Sequence, residues 1–403
     1  MNCPNCKQSI PSDSRFCPNC GYHVTDLDPH ESEPEPFSQT AQPYPANSYT
    51  NGTPPKSEMD KEHADLKLRR VFSQTFKKHP EEEAEKLFIV GTSSTTPDIA
   101  DVLDTWPKPW LFARVFLWVM IAYIGMYIGL SFFGNFNFLP GLIIVGSFMV
   151  PFTLLVFFWE MNAPQNIPVY KVVYTVFIGG VASLVAALVL YQTLHDFSGV
   201  LIVGFVEEAA KVLVIAWFLR KSKNTYILNG LLIGAAVGTG FASFETAGYA
   251  LRVLLETSNL GSLYATILWR GILAPGGHIV WAALSGAAIC MVKGKRDWQW
   301  HMLMKGRFLS IFILTVFLHA SWDLLELDIF SIPVMQILLT VLSWVFAFGM
   351  INAGLKEITR LKQETAQPLK PRETGLAADM KSSLAFLSAS PMTHAKKPPG
   401  LGD

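Results

Sequence analysis

Long apolar segments separated by short polar breaks fill residues 110–354, whereas the sequence on either side is ordinarily polar. An apolar segment of about 20 residues crosses roughly 30 Å of hydrocarbon as a helix. The pattern therefore predicts an all-α polytopic membrane protein with about eight transmembrane helices. Their approximate bounds are 110–133, 138–159, 169–191, 197–219, 226–250, 264–292, 308–325 and 330–354.

The sixth predicted helix contains the sequence APGG at 274–277. Proline lacks the amide hydrogen that a helix needs and clashes with the preceding turn, and two glycines loosen the backbone further. We therefore expect this helix to break or kink immediately before His278.

The sequence outside 110–354 predicts three further regions beside an amino-terminal module at 1–24. Residues 25–56 are rich in Pro, Ser, Glu, Thr and Asn, which predicts a disordered linker. Residues 57–109 form a juxtamembrane segment, in which 57–78 has the pattern of a charged helix and later apolar patches would lie on the bilayer or the bundle. Residues 355–403 are predicted to be a disordered cytoplasmic tail.

Basic residues follow a one-sided pattern along the chain. The loop after the fourth predicted helix reads RKSKNT, five Lys or Arg follow the sixth, and three more follow the eighth. The breaks on the other side are short, and Arg252 is their only Lys or Arg. Cytoplasmic loops of membrane proteins are enriched in Lys and Arg, so both termini are predicted to be cytoplasmic in a multi-pass cell-membrane protein. The opening MNCPNCKQSI has no basic and apolar signal-peptide pattern, which agrees.

Composition narrows the partners. Half of the residues are hydrophobic and 16% are charged, with 32 basic and 32 acidic residues and a formal net charge of zero. Bulk positive charge is thus absent, and no nucleic-acid partner is expected. The expected surroundings are a lipid bilayer.

Four cysteines lie in the first 20 residues, and CPNC occurs twice among them. Two C-x2-C pairs can complete the tetrahedral shell of a structural zinc ion, as in small zinc-ribbon modules, which this segment resembles. The alternative is a pair of disulfides, which would require an oxidising compartment. We expect structural zinc at 1–24 and a docking role toward a cytoplasmic protein. The predicted ligands are Cys3, Cys6, Cys17 and Cys20, whereas Cys290 is predicted to be a core residue.

Ionisable residues inside predicted spans are the main candidates for function, because each costs about 2.5–3.5 kcal/mol to insert. Helical spacing lets Lys211 neutralise a neighbouring glutamate, and we expect a salt bridge with Glu208. His319 and Asp323 are four residues apart on one helix face. The candidates are Glu207, Glu208, Lys211, Glu245, Arg270, His278, His319 and Asp323.

These groups suit two chemistries if the helices that carry them are neighbours. A bound metal ion would lower the pKa of a water molecule, with Glu245, His278 and His319 as its ligands. Alternatively, Glu207 or Glu208 would act as general base while histidine donors stabilise the oxyanion. In both chemistries the activated water would attack an amide carbonyl.

Four motifs occur in order on successive predicted helices: EEAAK at 207–211, FASFE at 241–245, RGILAPGGHIVW at 270–281 and HASWD at 319–323. Together they resemble the PrsW family of intramembrane proteases, within a superfamily that includes the CAAX-prenyl endopeptidases. The resemblance spans about 110–354. It implies cleavage of membrane-anchored protein substrates, with anti-sigma factors as the known type.

The resemblance also implies which residues act. Catalytic roles fall on Glu207, Glu208, Glu245, His278 and His319. From their positions in the sequence we expect Lys211, Arg270 and Asp323 to support them, although Arg270 could instead extend to the outer headgroups. The last motif often ends in asparagine in this superfamily, whereas this chain has Asp323. That leaves open whether the position donates a hydrogen bond or supplies negative charge.

Other interpretations remain at this point. Buried carboxylates and histidines also suit a proton-coupled transporter, although no inverted repeat is visible. A non-catalytic sensor or scaffold that recruits a partner through the ribbon is another, and the charged cluster would then only hold helices together. The tryptophans, including Trp217, Trp281 and Trp322, are interpreted as lipid-facing or interfacial anchors.

Overall fold

The computed structural model describes residue 9 and residues 67–92, 94–194, 199–221, 225–324, 328–329 and 332–366. The chain divides by its internal contacts into Met1–Pro45 and Ala46–Asp403, and every helix below belongs to the second unit. The ribbon apart from Ser9, the linker at 25–56 and the tail after 366 lie outside the described residues.

The second unit is a helix bundle, as the apolar pattern predicts. Its only strands among the described residues are the antiparallel pair β1 (Asp328–Ile329) and β2 (Ile332–Pro333). In chain order the helices are α1 Leu68–Val71, α2 Glu81–Phe88, α3 Leu111–Ser131, α4 Leu139–Glu160, α5 Val169–Tyr174, α6 Gly180–Thr193, α7 Val200–Leu219, α8 Ile227–Thr257, α9 Leu260–Leu273, α10 His278–Lys293, α11 Gly306–Leu324 and α12 Val334–Ala366.

Seven helical stretches of the described chain are long and apolar enough to cross a membrane. They are Leu111–Ser131, Phe136–Glu160, Val169–Thr193, Ile227–Thr257, Leu260–Lys293, Gly306–Leu324 and Val334–Ala366. Helix α7 is the remaining predicted span. It is 20 residues long but contains Glu207, Glu208 and Lys211, and the buried position of these three residues explains how so much charge is accommodated.

The centre of the bundle is α8 packed directly on α10. Glycines of α8 face the backbone of α10, so that a Cβ added at Gly234 would collide with the carbonyl oxygen of Ala282. A Cβ at Gly238 would collide with the carbonyl oxygen of His278. Small residues permit such close helix contact in membranes. The two helices that carry Glu245 and His278 therefore lie backbone against backbone.

The predicted break in the sixth span is confirmed. Residues Ala274–Gly276 form a short 3-10 helix between α9 and α10. Trp344 of α12 donates its indole N–H to the carbonyl oxygen of Pro275, at 3.0 Å. The break starts a new helix at His278, and the adjacent helix holds it in place.

The juxtamembrane segment packs on the bundle. The Phe72 ring contacts Phe112 and Phe157, at centroid distances of 6.1 Å each. Glu160, the last residue of α4, accepts hydrogen bonds from three backbone amides at the start of α3, at 2.8–2.9 Å. Those amides have no partner within their own helix. The carboxylate thus joins the entry into the membrane to the end of α4.

Two features differ from the predicted pattern. Residues Thr175–Gly179 form a π-helical turn inside the third predicted span. Helix α12 continues to Ala366, so the disordered tail predicted from 355 does not begin there. The additional turns are polar, but Lys362 donates to the carbonyl oxygen of Val102 at 2.9 Å, which anchors them to the juxtamembrane segment.

Candidate functional site between the helices

Lys211 of α7 lies at the centre of the polar cluster and is completely buried. Its ammonium donates to Glu208 Oε1 at 2.8 Å and lies 2.9 Å from His278 Nδ1. It also lies 4.0 Å from the centre of the Phe241 ring, a favourable cation–π position. The predicted Glu208–Lys211 salt bridge is confirmed, and the cation joins α7 to α8 and α10.

Glu245 of α8 lies between a cation and an imidazole. Arg270 of α9 donates through Nη2 to Glu245 Oε2 at 2.5 Å, and the same oxygen lies 3.1 Å from His278 Nε2. The Arg270 guanidinium also donates to Thr246 and covers the ring of Tyr249. Arg270 therefore lies at the site and fixes the Glu245 carboxylate.

His319 of α11 faces both glutamates of α7. Its Nδ1 lies 3.0 Å from Glu208 Oε1, whereas its Nε2 lies 3.7 Å from Glu207 Oε2 and 3.5 Å from Asp323 Oδ2. The Trp281 ring stacks on the imidazole at a centroid distance of 4.8 Å. Glu208 and Trp281 hold the ring so that Nε2 points toward Glu207 and Asp323.

Glu207 and Glu208 each have a buried Oε2 atom without a hydrogen-bond partner among the described residues, but only Glu207 lines the cavity described below. Its Oε2 is buried and has no hydrogen-bond partner among the described residues, although Lys211 Nζ and His319 Nε2 each lie 3.7 Å away. Its Oε1 accepts a long hydrogen bond of 3.4 Å from the Tyr191 hydroxyl of α6. Glu207 is therefore held in place but retains an oxygen for a further ligand.

The charged groups open onto one cavity of about 280 Å³. Its walls come from α4, α7, α8, α9, α10 and α11, so the expected convergence of the helices is confirmed. The ionisable residues in its lining are Glu207, Glu245, Arg270, His278, His319 and Asp323.

The charge balance at this cavity favours a bound cation. Counted as ionised, Glu207, Glu208, Glu245 and Asp323 contribute −4, and Lys211 and Arg270 contribute +2, which leaves −2 with neutral histidines. One atom each of Glu207, His278 and His319 lie within 4.8 Å of one another. This donor set, with the unpartnered Glu207 oxygen, suits a divalent ion such as zinc. The ligand set expected from the sequence has Glu245 instead of Glu207, but Glu245 is occupied by Arg270.

One interpretation of the sequence was wrong, and two residues that contact or line the site, Tyr191 and Ser147, were not among its candidates. Trp281 is only 1% exposed and packs on both histidines, so it is not a lipid-facing anchor. Tyr191 and Ser147 also border the site. A tyrosine or serine in an apolar helix is too common to attract attention, although Ser147 lies four residues before a proline.

The fold and the cavity define a polytopic membrane protein with an enzyme site enclosed by its helices. Residues 168–351 match the family model described as the PrsW family intramembrane metalloprotease, and residues 2–24 match that of a zinc-ribbon domain. The chain therefore carries a PrsW-family intramembrane protease domain and an amino-terminal zinc ribbon. No curated protein and no solved structure matches it. The range matched to the protease family includes every candidate predicted within the membrane helices but excludes α3 and α4.

Proposed function

We propose that this cavity hydrolyses peptide bonds in membrane-anchored protein substrates, of the anti-sigma-factor type that the family resemblance implies, and that Glu207 is the general base. The observation that carries the assignment is the Glu207 Oε2 atom, which is buried at the cavity without a hydrogen bond from the described residues. A water molecule placed there would have a carboxylate ready to accept its proton.

Glu208 is less suited to that role. Its Oε2 atom is also without a hydrogen-bond partner among the described residues, but Glu208 is completely buried and does not line the cavity. Its Oε1 atom accepts from Lys211 and faces His319 Nδ1. A carboxylate in such an ion pair is a poor proton acceptor, because protonation would leave the Lys211 charge unpaired. We assign Glu208 the task of orienting His319 and fixing Lys211.

The remaining residues bind and orient. His319 presents Nε2 to the cavity. With both ring nitrogens protonated, Nδ1–H faces Glu208 and Nε2–H can donate to the carbonyl oxygen of the scissile bond as negative charge develops. Glu245 orients His278 through Nε2, and Lys211 does so through Nδ1. Asp323 lies 3.5 Å from His319 Nε2 and helps to orient the ring.

The family is one of metalloproteases, and the residues fit a metal ion. Glu207, His278 and His319 would hold it, with His278 exchanging its present contact with Lys211 or Glu245 for the ion. The ion would lower the pKa of a bound water and polarise the substrate carbonyl. A carboxylate has two oxygen atoms, so binding through one leaves Glu207 another for a proton. The ribbon cysteines Cys3, Cys6, Cys17 and Cys20 would hold a separate structural zinc ion.

The Glu207→Gln variant tests the proposal. We expect cleavage of tagged single-span membrane proteins co-expressed with this chain to fall at least about 100-fold, because general-base catalysis contributes roughly 10²–10⁴. Cleavage is followed by immunoblotting against tags at both ends of each substrate.

Glu256→Gln is the matched control, since Glu256 lies on α8 with a largely exposed side chain and is absent from the cavity lining. It should cleave like the wild type. Cleavage by Glu207→Gln at the wild-type rate, in protein inserted to the same level, would remove Glu207 as the base.

The membrane orientation is part of the proposal. The basic loops and both termini are assigned to the cytoplasmic side of the cell membrane, where a protein partner of the ribbon would also lie. A fluorescent protein fused after residue 403 should fluoresce, whereas alkaline phosphatase fused there should be inactive. The reverse result would invert the topology.

A further inference from the structure

Ser147 of α4 is a polar residue at the cavity that lies outside the family match. It is 2% exposed, and its Oγ has no hydrogen-bond partner in the part of the chain that the structure describes. A hydroxyl donates one hydrogen bond and accepts others. Among the described residues three buried serines have such an Oγ, Ser147, Ser243 and Ser285, but only Ser147 lines the cavity, where a ligand could complete its hydrogen bonding.

Pro151 leaves a second polar group, the backbone carbonyl of Ser147, without its helical partner. It lies one turn after Ser147 on α4 and also lines the cavity. Because proline has no N–H, it cannot donate the hydrogen bond that the Ser147 carbonyl would accept in a regular helix. The hydroxyl and the carbonyl of one residue are thus both left without a regular helical partner beside the cavity.

A membrane-spanning substrate has backbone groups that could pair with this hydroxyl and carbonyl. Its scissile amide becomes accessible only when the local helix is opened, and the freed N–H and C=O groups then have no water to bind in the hydrocarbon region. Groups fixed in the cavity wall can satisfy them. A serine hydroxyl can pair with either group, and a carbonyl can pair with an N–H.

We propose that Ser147 is a substrate-binding residue, whose hydroxyl and carbonyl groups hydrogen-bond the main chain of an unwound membrane substrate next to the cleaved bond. The inference rests on the proposed proteolytic function and adds the recognition of an extended polypeptide backbone to it. Such contacts are independent of substrate side chains. The subsite would therefore select for an opened helix rather than for a sequence.

Ser147→Ala tests the hydroxyl. We expect KM for a cleaved single-span substrate in vesicles to rise about 2- to 12-fold with kcat changed less than about 2-fold, because one neutral hydrogen bond corresponds to that range of affinity. Ser285→Ala is the matched control: Ser285 is buried on α10 with an equally unpartnered Oγ, but it does not line the cavity.

Pro151→Ala tests the carbonyl. Alanine restores the N–H that pairs with the Ser147 carbonyl, so KM should also rise while thermal stability is kept or increased. An unchanged KM in both Ser147→Ala and Pro151→Ala, measured beside a fully active wild type, would overturn the inference but leave the proposed protease function intact.

A binding measurement separates the two proposals without requiring turnover. Ser147→Cys is combined with Glu207→Gln and mixed in vesicles with a single-span peptide that has a Gly-Pro helix break and one cysteine near it. Disulfide formation above the level of the wild-type cysteines and of Ser285→Cys supports the subsite, even if no substrate is cut. Equal cross-linking at 147 and 285 contradicts it.

Discussion

At the scale of single residues, Lys211 determines how the two adjacent glutamates differ. The two residues are adjacent on α7, yet only Glu208 forms a hydrogen bond with the Lys211 ammonium. The distance from Lys211 Nζ is 2.8 Å to Glu208 Oε1 and 3.7 Å to Glu207 Oε2. Adjacent positions on a helix point about 100° apart, so one cation cannot serve both equally. The difference leaves one carboxylate neutralised and the other facing the cavity.

Removing the Lys211 ammonium should lower the stability of the folded protein. In Lys211→Met the charge of Glu208 remains buried without its partner, and such a change lowers the free energy of unfolding by about 3–5 kcal/mol. Denaturation of purified protein in mixed micelles measures it.

Lys356→Met, at an exposed lysine of α12, serves as control and should change stability by less than about 0.5 kcal/mol. Adding Glu208→Gln to Lys211→Met should recover much of the loss. Equal stability of Lys211→Met and Lys356→Met would show that the buried pair contributes nothing.

The sequence reveals ionisable residues of the site but not its apolar and neutral ones. Glu207, Glu245, His278 and His319 are conspicuous because charge and imidazole are rare within apolar spans. Trp281 has the composition of a lipid anchor, and only the fold shows that it packs on His319. Composition cannot distinguish a lipid-facing tryptophan from one that faces a cavity.

At the scale of helices, the close contact of α8 and α10 fixes the distance between Glu245 and His278. Their 3.1 Å separation depends on backbone approach at Gly234 and Gly238. Bulk at either position would push the helices apart and would lengthen the hydrogen bond across them.

Gly234→Ala should therefore lower both stability and activity. The added methyl collides with the Ala282 carbonyl, and overpacking of this kind costs about 1–3 kcal/mol. Thermal unfolding and the cleavage assay measure the two effects. Gly248→Ala is the control on the same helix, because no atom lies within 4 Å of its added Cβ. If the two variants behave alike, close packing at Gly234 is unimportant.

Helix positions were predictable to within a few residues, with informative exceptions. The APGG sequence signals its break because proline and glycine act locally. The end of α12 at Ala366 was not predictable, since a polar helix extension depends on tertiary contacts such as that of Lys362 with Val102. The π turn at Thr175–Gly179 likewise has no local sequence signal.

At the scale of the whole molecule, hydrophobicity alone could not show which helices are neighbours. A membrane helix that is apolar on all sides has no amphipathic face to indicate its partner. The cost of burying charge was the additional information. Because unpaired ionisable groups are unfavourable within the membrane, Glu207, Glu245, His278 and His319 were expected to lie close together. The motif resemblance pointed to the same arrangement.

The metal content of the full-length protein should reflect two separate sites. We expect about two zinc ions per chain in the wild type, and one when Cys3, Cys6, Cys17 and Cys20 are all serine. Adding His319→Ala to that variant should remove the second ion, because one of three protein ligands is lost. Elemental mass spectrometry of purified protein gives the counts. A cysteine-free ribbon variant that cleaves substrate while containing no metal would exclude a metal-assisted reaction.

The Glu160 carboxylate has a mechanical consequence for the amino-terminal part of the chain. It accepts hydrogen bonds from the three amides at the start of α3 and so connects them to the end of α4. Helix α4 is about 33 Å long and includes Ser147. The segment that precedes Trp110 is therefore coupled to α4, the helix that contributes Ser147 to the cavity wall. Helix α4 also packs directly on α8, where the Pro151 carbonyl oxygen accepts from Thr239 Oγ1 at 3.3 Å, so a shift of that segment would also reach the helix that bears Glu245.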